Sequence, residues 1–299
     1  MEREKSIAIN KIGVLLRPKT PNLKDSFAFF KQVAIDFDIE THLESKSAEM
    51  IGESNGVRFA ELCAWSDILV SIGGDGTLIS LIRNAINYNK PIFGVNMGRL
   101  GFLTAIKINE LRDFLANLKN GNYALYSHLL LKGEIVGESN ANSANQNAPQ
   151  NPQTIHCVNE FLIAKQNISG MIAISAKING KYFNTYRADG LIIGTPTGSS
   201  AYNISAGGPI VYPYNRNILL TPVCAHSLTQ KPLILNDEFS LEFAISEGNA
   251  NIIIDGQDII DFPQGAKFCV SVLDKNAHLL YDKNRDYFAV LREKFGWGD

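Results

Sequence analysis

Ser71-Ile72-Gly73-Gly74-Asp75-Gly76-Thr77 follows the apolar run Ile68-Leu69-Val70 and precedes an apolar spacing of Leu78, Ile79, Leu81, Ile82, Ala85 and Ile86. The run before it reads as a buried strand, and the spacing after it as a helix. Gly73, Gly74 and Gly76 can take backbone angles closed to other residues, and they let another molecule approach the main chain. Amides at the start of the helix face that space, an arrangement suited to phosphate. Asp75 would repel phosphate, so its place in the turn calls for a task. A carboxylate there can take the proton from a hydroxyl that attacks phosphate. The blander reading is a strand-to-helix turn with an Asp cap.

Working outward, the same alternation continues on both sides. Ile7 to Leu16 reads as a strand, and Pro21-Asn22 opens a helix with Leu23, Phe27, Phe30, Val33, Ala34 and Phe37 on one face. Ile39 to Leu43 reads as a strand, residues 44–56 as loop, and Phe59 to Trp65 as a short helix. Pro91 to Val95 is another apolar strand, ending in a second glycine-bearing turn from Asn96 to Leu103. A helix over Asn109 to Leu118 follows. Alternating strands and helices predict a doubly wound α/β domain over residues 1–122, with ligands at the carboxyl ends of the strands, where both glycine turns lie.

The pattern changes at Tyr123. Residues 123–282 carry many strand-like runs, among them Leu129–Val136, Ile155–Ala164, Met171–Ile178 and Phe239–Ile245, with little helical periodicity. Asn179-Gly180 between two such runs is a hairpin signal. This half is expected to be mostly antiparallel β. Gly137 to Gln153 is biased toward Asn, Gln, Ser and Ala and reads as a surface loop. Asp286 to Phe295 has helical spacing, and a C-terminal helix within 283–299 is expected to pack back on the first domain.

Bulk properties exclude several classes. The chain has 299 residues, 45% hydrophobic and 19% charged, as in an ordinary globular protein of two domains or one large one. A formal net charge of −2 gives no basic face for nucleic acid. The four cysteines lie far apart and the five histidines are scattered, so neither a disulfide framework nor a metal site is expected. No apolar stretch is long enough to span a bilayer. The N-terminus reads as a first strand rather than a signal peptide, so the expectation is a cytoplasmic protein with reduced thiols.

A second dense cluster lies in the β half. Arg187-Ala188-Asp189-Gly190 leads into a short strand, followed by Thr195-Pro196-Thr197-Gly198-Ser199-Ser200-Ala201-Tyr202-Asn203-Ile204-Ser205-Ala206-Gly207-Gly208-Pro209. Its hydroxyls and amides suit phosphate or ribose oxygens, and Tyr202 suits a flat base. A plain Ser/Thr/Gly-rich loop is the alternative. Asn159-Glu160 is a weaker cue, and Asp255-Gly256-Gln257 reads as a turn. The chain lacks a Walker A sequence and a Gly-x-Gly-x-x-Gly fingerprint.

Gly73-Gly74-Asp75-Gly76-Thr77, Asn159-Glu160 and the run from Asp189 to Pro209 occur in the order and spacing of the NAD kinase family, which the chain resembles from Ile12 to Trp297. The glycine–aspartate motif is shared with lipid and sugar kinases; the Thr-Pro-Thr-Gly run is more specific. The resemblance implies transfer of the ATP γ-phosphoryl group to the 2′-hydroxyl of the adenosine ribose of NAD, giving NADP. It implies Asp75 as general base, with Asp75, Gly76, Phe102, Asn159, Glu160, Arg187, Asp189, Thr197, Ser200, Ala201, Tyr202, Asn203, Ile204, Ser205 and Gln257 contacting NAD. ATP is expected at Gly73, Gly74, Gly76, Thr77 and Asn96, bringing Mg²⁺ with its phosphates. Family members place the site between an α/β and a β domain and assemble as homodimers or homotetramers, in which one subunit can complete its neighbour's site. Gly170 stands before Met171 where many members carry His or Arg, and the segment at 137–153 is longer than usual. The rival readings are a lipid or sugar kinase and a sensor that binds NAD(P) without turnover.

Overall fold

Strands that are apolar throughout must be covered on both faces, and those flanking the first glycine turn are. The computed structural model describes residues 8–18, 22–98, 101–104, 106–137, 153–167 and 170–298. Ile68–Gly73 and Ile92–Asn96 are buried at every position. They pair in parallel with each other, and Lys11–Leu16 and Glu40–Leu43 extend the sheet on the Ile68–Gly73 side, also in parallel. The short strand Ile106–Lys107 and the late strand Ala277–Asp282 lie parallel to Ile92–Asn96, and Tyr123–His128 takes the outer edge. Helices Leu23–Asp36 and Leu111–Lys119 bury Phe27, Phe30, Val33, Phe114, Leu115 and Leu118 in the core that also holds Val14, Val70 and Phe93.

The chain divides into two compact units: residues up to Ser127 together with Ala277 onward, and His128–Asn276. The strands Tyr123–His128 and Ala277–Asp282, read from sequence as part of the β half, thus complete the first sheet. The C-terminal helix Tyr287–Phe295 buries Tyr287, Val290 and Leu291 and belongs to the same unit.

The second unit is built from two six-stranded antiparallel sheets. Alternate residues such as Leu131, Ile174, Phe243 and Phe268 from one sheet meet Phe161, Ile163, Leu191 and Ile252 from the other in a single core. Asn179 (φ 48) and Gly180 (φ 75) form the expected hairpin turn, both left-handed as such turns require. The fold class is the expected one, an α/β unit and an antiparallel β unit.

Two local readings change. Residues 44–56 contain a helix, Ser45–Ile51. The Glu44 carboxylate accepts the Ser47 amide at 2.9 Å, Gly52 ends the helix at φ 73, and Ala48 and Ile51 are buried. Glu is an uncommon cap, so the polar composition concealed the helix. The run Ile155–Ala164 is two strands, Gln153–Cys157 and Glu160–Lys165, in different sheets, with Val158-Asn159 at the crossing. The strand start at Ile7, the helix-opening Pro21, Arg99 and Leu100 of the second glycine turn, and 138–152 of the Asn-rich segment lie outside the described residues.

Candidate active site

Gly73 is required by crowding: a Cβ there would lie 2.5 Å from Thr77 Oγ1 and 2.8 Å from Arg17 Cβ, whereas one on Gly74 would make only an ordinary contact, 3.8 Å from Arg17 Nη1. Gly74 is extended and caps the helix Asp75–Ala85, whose first residue is the carboxylate singled out from sequence. The second glycine turn lies beside the first because Gly73 pairs with Asn96 and the Met97 amide donates to the Gly73 carbonyl at 3.0 Å.

This neighbourhood surrounds Asp75 with donors. Its Oδ2 accepts the Phe102 amide at 2.7 Å, and its Oδ1 accepts the Thr104 amide at 2.8 Å and the Thr104 hydroxyl at 2.7 Å. The Leu103 amide is shared between both oxygens at 3.3 Å. Gly101 permits the approach, since a Cβ there would fall 2.0 Å from Oδ1. Asn96 Nδ2 donates to Thr104 Oγ1 at 2.9 Å, and Asn96 Oδ1 accepts the Gly98 amide at 2.6 Å. Behind the loop, Arg285 donates to the Phe102 carbonyl, and the Phe295 ring lies 5.7 Å from that of Phe102. Gly76 and Thr77 complete the first helical turn, Gly76 exposed.

In the second unit the Asn159-Glu160 crossing is gripped from two sides. The Asp255 carboxylate accepts the amides of Val158 at 3.1 Å, Asn159 at 2.7 Å and Glu160 at 3.2 Å. From the strand Gly190–Gly194, Thr195 donates its hydroxyl to the Val158 carbonyl at 2.6 Å and its amide to the Asn159 carbonyl at 2.8 Å. A Cβ on Gly198 would fall 2.2 Å from that same carbonyl. Glu160 is 6% exposed, and its Oε2 has no hydrogen-bond partner. Burial, and secondarily the Asp255 charge, push its carboxyl up to about 8.

The Thr197–Ser205 stretch folds as a short 3₁₀ turn and one turn of helix above this crossing. Thr197 Oγ1 bonds His128 Nδ1 at 2.9 Å. Asn203, expected among the NAD contacts, is fully buried: Nδ2 donates to the carbonyls of Ser199 (3.2 Å) and Pro209 (2.9 Å), and Oδ1 accepts the Thr221 hydroxyl at 2.6 Å. Its amide holds the turn closed. Tyr202 is 44% exposed, Ser205 is exposed, and Ser200, Ala201 and Ile204 are half-buried. Gln257 is exposed two residues past Asp255.

Arg187 and Asp189 do not join this group. Gly194 pairs with Glu160 and Gly190 with Ala164, so Asp189 lies beside Lys165, about 17 Å along the strand from Glu160. Lys165 Nζ bonds Asp189 at 2.7 Å, and Arg187 pairs with Glu247 at 2.6 Å. Among the described residues no group of three or more His, Cys, Asp or Glu side chains is placed to hold a metal, and the four cysteines are free. Sequence reasoning passed over Arg17, Thr104, Asp255 and Arg285. Thr104 directly follows the second glycine turn and Asp255 opens the Asp255-Gly256-Gln257 turn, but Asp255 acts on backbone amides, which every residue carries, and the Thr104 hydroxyl acts on a residue far back in the chain.

A glycine turn with a carboxylate at a helix start, in an α/β unit followed by an antiparallel β unit, fits a nucleotide-dependent phosphotransferase. Family models described as the ATP-NAD kinase N-terminal domain and the ATP-NAD kinase C-terminal domain match residues 31–123 and 158–281. The NAD kinase of Helicobacter hepaticus is 52% identical over 294 residues, covering 97% of each chain. That of Wolinella succinogenes is 50% identical over 296 residues, covering 98% of this chain and 97% of its own. A yeast NADH kinase solved with NADH superposes with a TM-score of 0.87 at 22% identity, over 98% of this chain and 89% of its own. An Archaeoglobus fulgidus NAD kinase solved with ATP gives 0.69, also at 22%, over 95% and 98%. The chain belongs to the NAD kinase family: it is a kinase that phosphorylates NAD to NADP at the expense of ATP. No helix among the described residues is long and apolar enough to cross a membrane.

Proposed function

We propose that Asp75 is the general base of this reaction, taking the proton of the adenosine ribose 2′-hydroxyl as its oxygen attacks the γ-phosphorus of ATP. The observation that carries the reading is the position of its carboxylate at the head of the helix Asp75–Ala85, inside the glycine turn and held at both oxygens. A carboxylate offers about four lone-pair positions, and the four donors of Phe102–Thr104 engage them. The shared Leu103 contact is the longest and yields first to a substrate hydroxyl. Deprotonation during attack contributes about 10²–10⁴-fold to such reactions.

The remaining assignments follow the same reading. ATP phosphates take the amides of Gly73, Gly74, Gly76 and Thr77, with the Arg17 guanidinium beside them, and Asn96 shapes the adjoining turn from within. A divalent cation such as Mg²⁺ would be carried by those phosphates and would offset their charge as the γ-phosphoryl group moves. Phe102, Asn159, Glu160, Thr197, Ser200–Ser205 and Gln257 form the NAD side, Asn203 by ordering its turn. Arg187 and Asp189, at the far end of the strand from Glu160, serve the site of a neighbouring subunit in a homodimer or homotetramer. The enzyme works in the cytoplasm.

The test is incubation with ATP, Mg²⁺ and NAD, with NADP read by a coupled dehydrogenase. Asp75→Asn lowers kcat by about 100-fold or more while NAD still binds by calorimetry. Near-normal turnover in that variant would remove the base assignment.

A further inference from the structure

A carboxylate that is to receive a proton must present one oxygen to the incoming hydroxyl and have the other fixed. Backbone amides fix Asp75 in part. The remaining contact, from Thr104, is a side-chain one. Thr104 is fully buried, and its hydroxyl stands between two partners: it donates to Asp75 Oδ1 at 2.7 Å and accepts from Asn96 Nδ2 at 2.9 Å. Because Asn96 supplies an N–H, the hydroxyl proton has one direction left, toward the carboxylate. Asn96 is itself oriented, since its Oδ1 accepts the Gly98 amide at 2.6 Å. The rotamer of Thr104 is fixed by its methyl, which packs where a Cβ on Gly94 would lie 2.6 Å away. Asp75 follows the strand Ile68–Gly73, Asn96 ends the adjacent parallel strand Ile92–Asn96, and Thr104 lies between that strand and Ile106–Lys107.

We propose that Thr104 is a positioning residue for phosphoryl transfer: relayed from Asn96, its hydroxyl holds Asp75 Oδ1, so that Oδ2, which carries the Phe102 amide, offers its remaining lone pair to the substrate hydroxyl. The proposal rests on Asp75 as base, and its test separates the two.

Thr104→Val removes the hydroxyl and keeps the shape; Thr104→Ser keeps the hydroxyl and loses the methyl. Both are assayed beside Asp75→Asn and the double variant Asp75→Asn/Thr104→Val. Hydrogen bonds to charged groups are worth roughly a 10- to 100-fold change when lost. Thr104→Val is expected to lower kcat by about that factor, with KM for NAD and for ATP within about twofold, and Thr104→Ser to recover to within about threefold of the parent. In the Asp75→Asn background the Val substitution adds little, because no base is left to orient. A general packing role would instead move KM and thermal stability, and Ser would not rescue. If Thr104→Val does not fold, Thr104→Ala carries the same comparison against Ser. Normal kcat in the hydroxyl-less variant, with Asp75→Asn inactive, overturns the proposal and leaves the base intact. Equal losses in Val and Ser overturn it too. Turnover by Asp75→Asn removes the base reading and this one with it.

Discussion

Glu160→Gln measures the stability that a buried, partly unpartnered carboxyl costs. Glu160 is 6% exposed with one oxygen unpartnered, and its carboxyl is pushed up to about 8 by burial and then by Asp255, from 4.5 in the unfolded chain. A raised carboxyl means that the folded state holds a proton that the unfolded state has released. Stability from this group is therefore full below about pH 4.5 and falls as pH climbs toward about 8, where the folded group ionises too. Between pH 6 and pH 8 the linkage integral comes to about 2 kcal/mol lost by the wild type and not by the glutamine variant. For a unit of this size that corresponds to a melting-point difference of about 4–8 °C. The assay is thermal unfolding of both proteins at pH 6 and pH 8, without ligand, comparing the change in Tm across that interval. Subtracting the variant cancels the other titrating groups. Parallel shifts in the two proteins would refute the reasoning, since Glu160 would then titrate alike in both states.

The other expectations concern geometry. Gly101→Ala would put a Cβ 2.0 Å from Asp75 Oδ1, displacing one or the other by about 1 Å, which typically costs on the order of 100-fold in turnover; unchanged kcat would mean that the turn opens without consequence. If Asp189 completes a neighbour's site, Asp189→Ala and Asp75→Asn are each inactive alone, but co-expressed and co-purified they give mixed oligomers with one intact site. Activity no greater than that of either variant alone would return Asp189 to its own chain.

Much of the α/β unit was legible because its strands are buried on both faces and its helices keep one apolar stripe. Ile68–Gly73 and Ile92–Asn96 show continuous apolar runs, which only a covered parallel strand tolerates. What composition hid is local and polar. The helix Ser45–Ile51 is closed by a Glu cap. The crossing at Val158-Asn159 is held by Asp255 and Thr195, and nothing in its own residues marks a break. The late strand Ala277–Asp282 carries ordinary strand patterning, and its membership of the first sheet is decided by pairing with Ile92–Asn96, far away in the chain.

The site was legible as motifs and illegible as distances. Asp189 and Glu160 look equivalent in sequence, each a carboxylate at a strand end, and one antiparallel register separates them: Gly194 faces Glu160, so Asp189 must face the other way along the strand. The same register brings Thr195 onto Val158 and Asn159. One pairing therefore gathers Asn159, Glu160 and Thr195 at one end of the strand and leaves Arg187 and Asp189 at the other. A motif whose members lie at opposite ends of one strand cannot all grip one small molecule from a single subunit unless that molecule spans the strand. If a second copy supplies Arg187 and Asp189, as proposed, the oligomer becomes part of the chemistry rather than a property of the surface. The Asp75 turn is the converse case. Its neighbours Asn96, Gly101, Phe102 and Thr104 lie within a short stretch of chain at and after the adjacent strand end, so the Asp75 carboxylate is oriented by residues of its own unit.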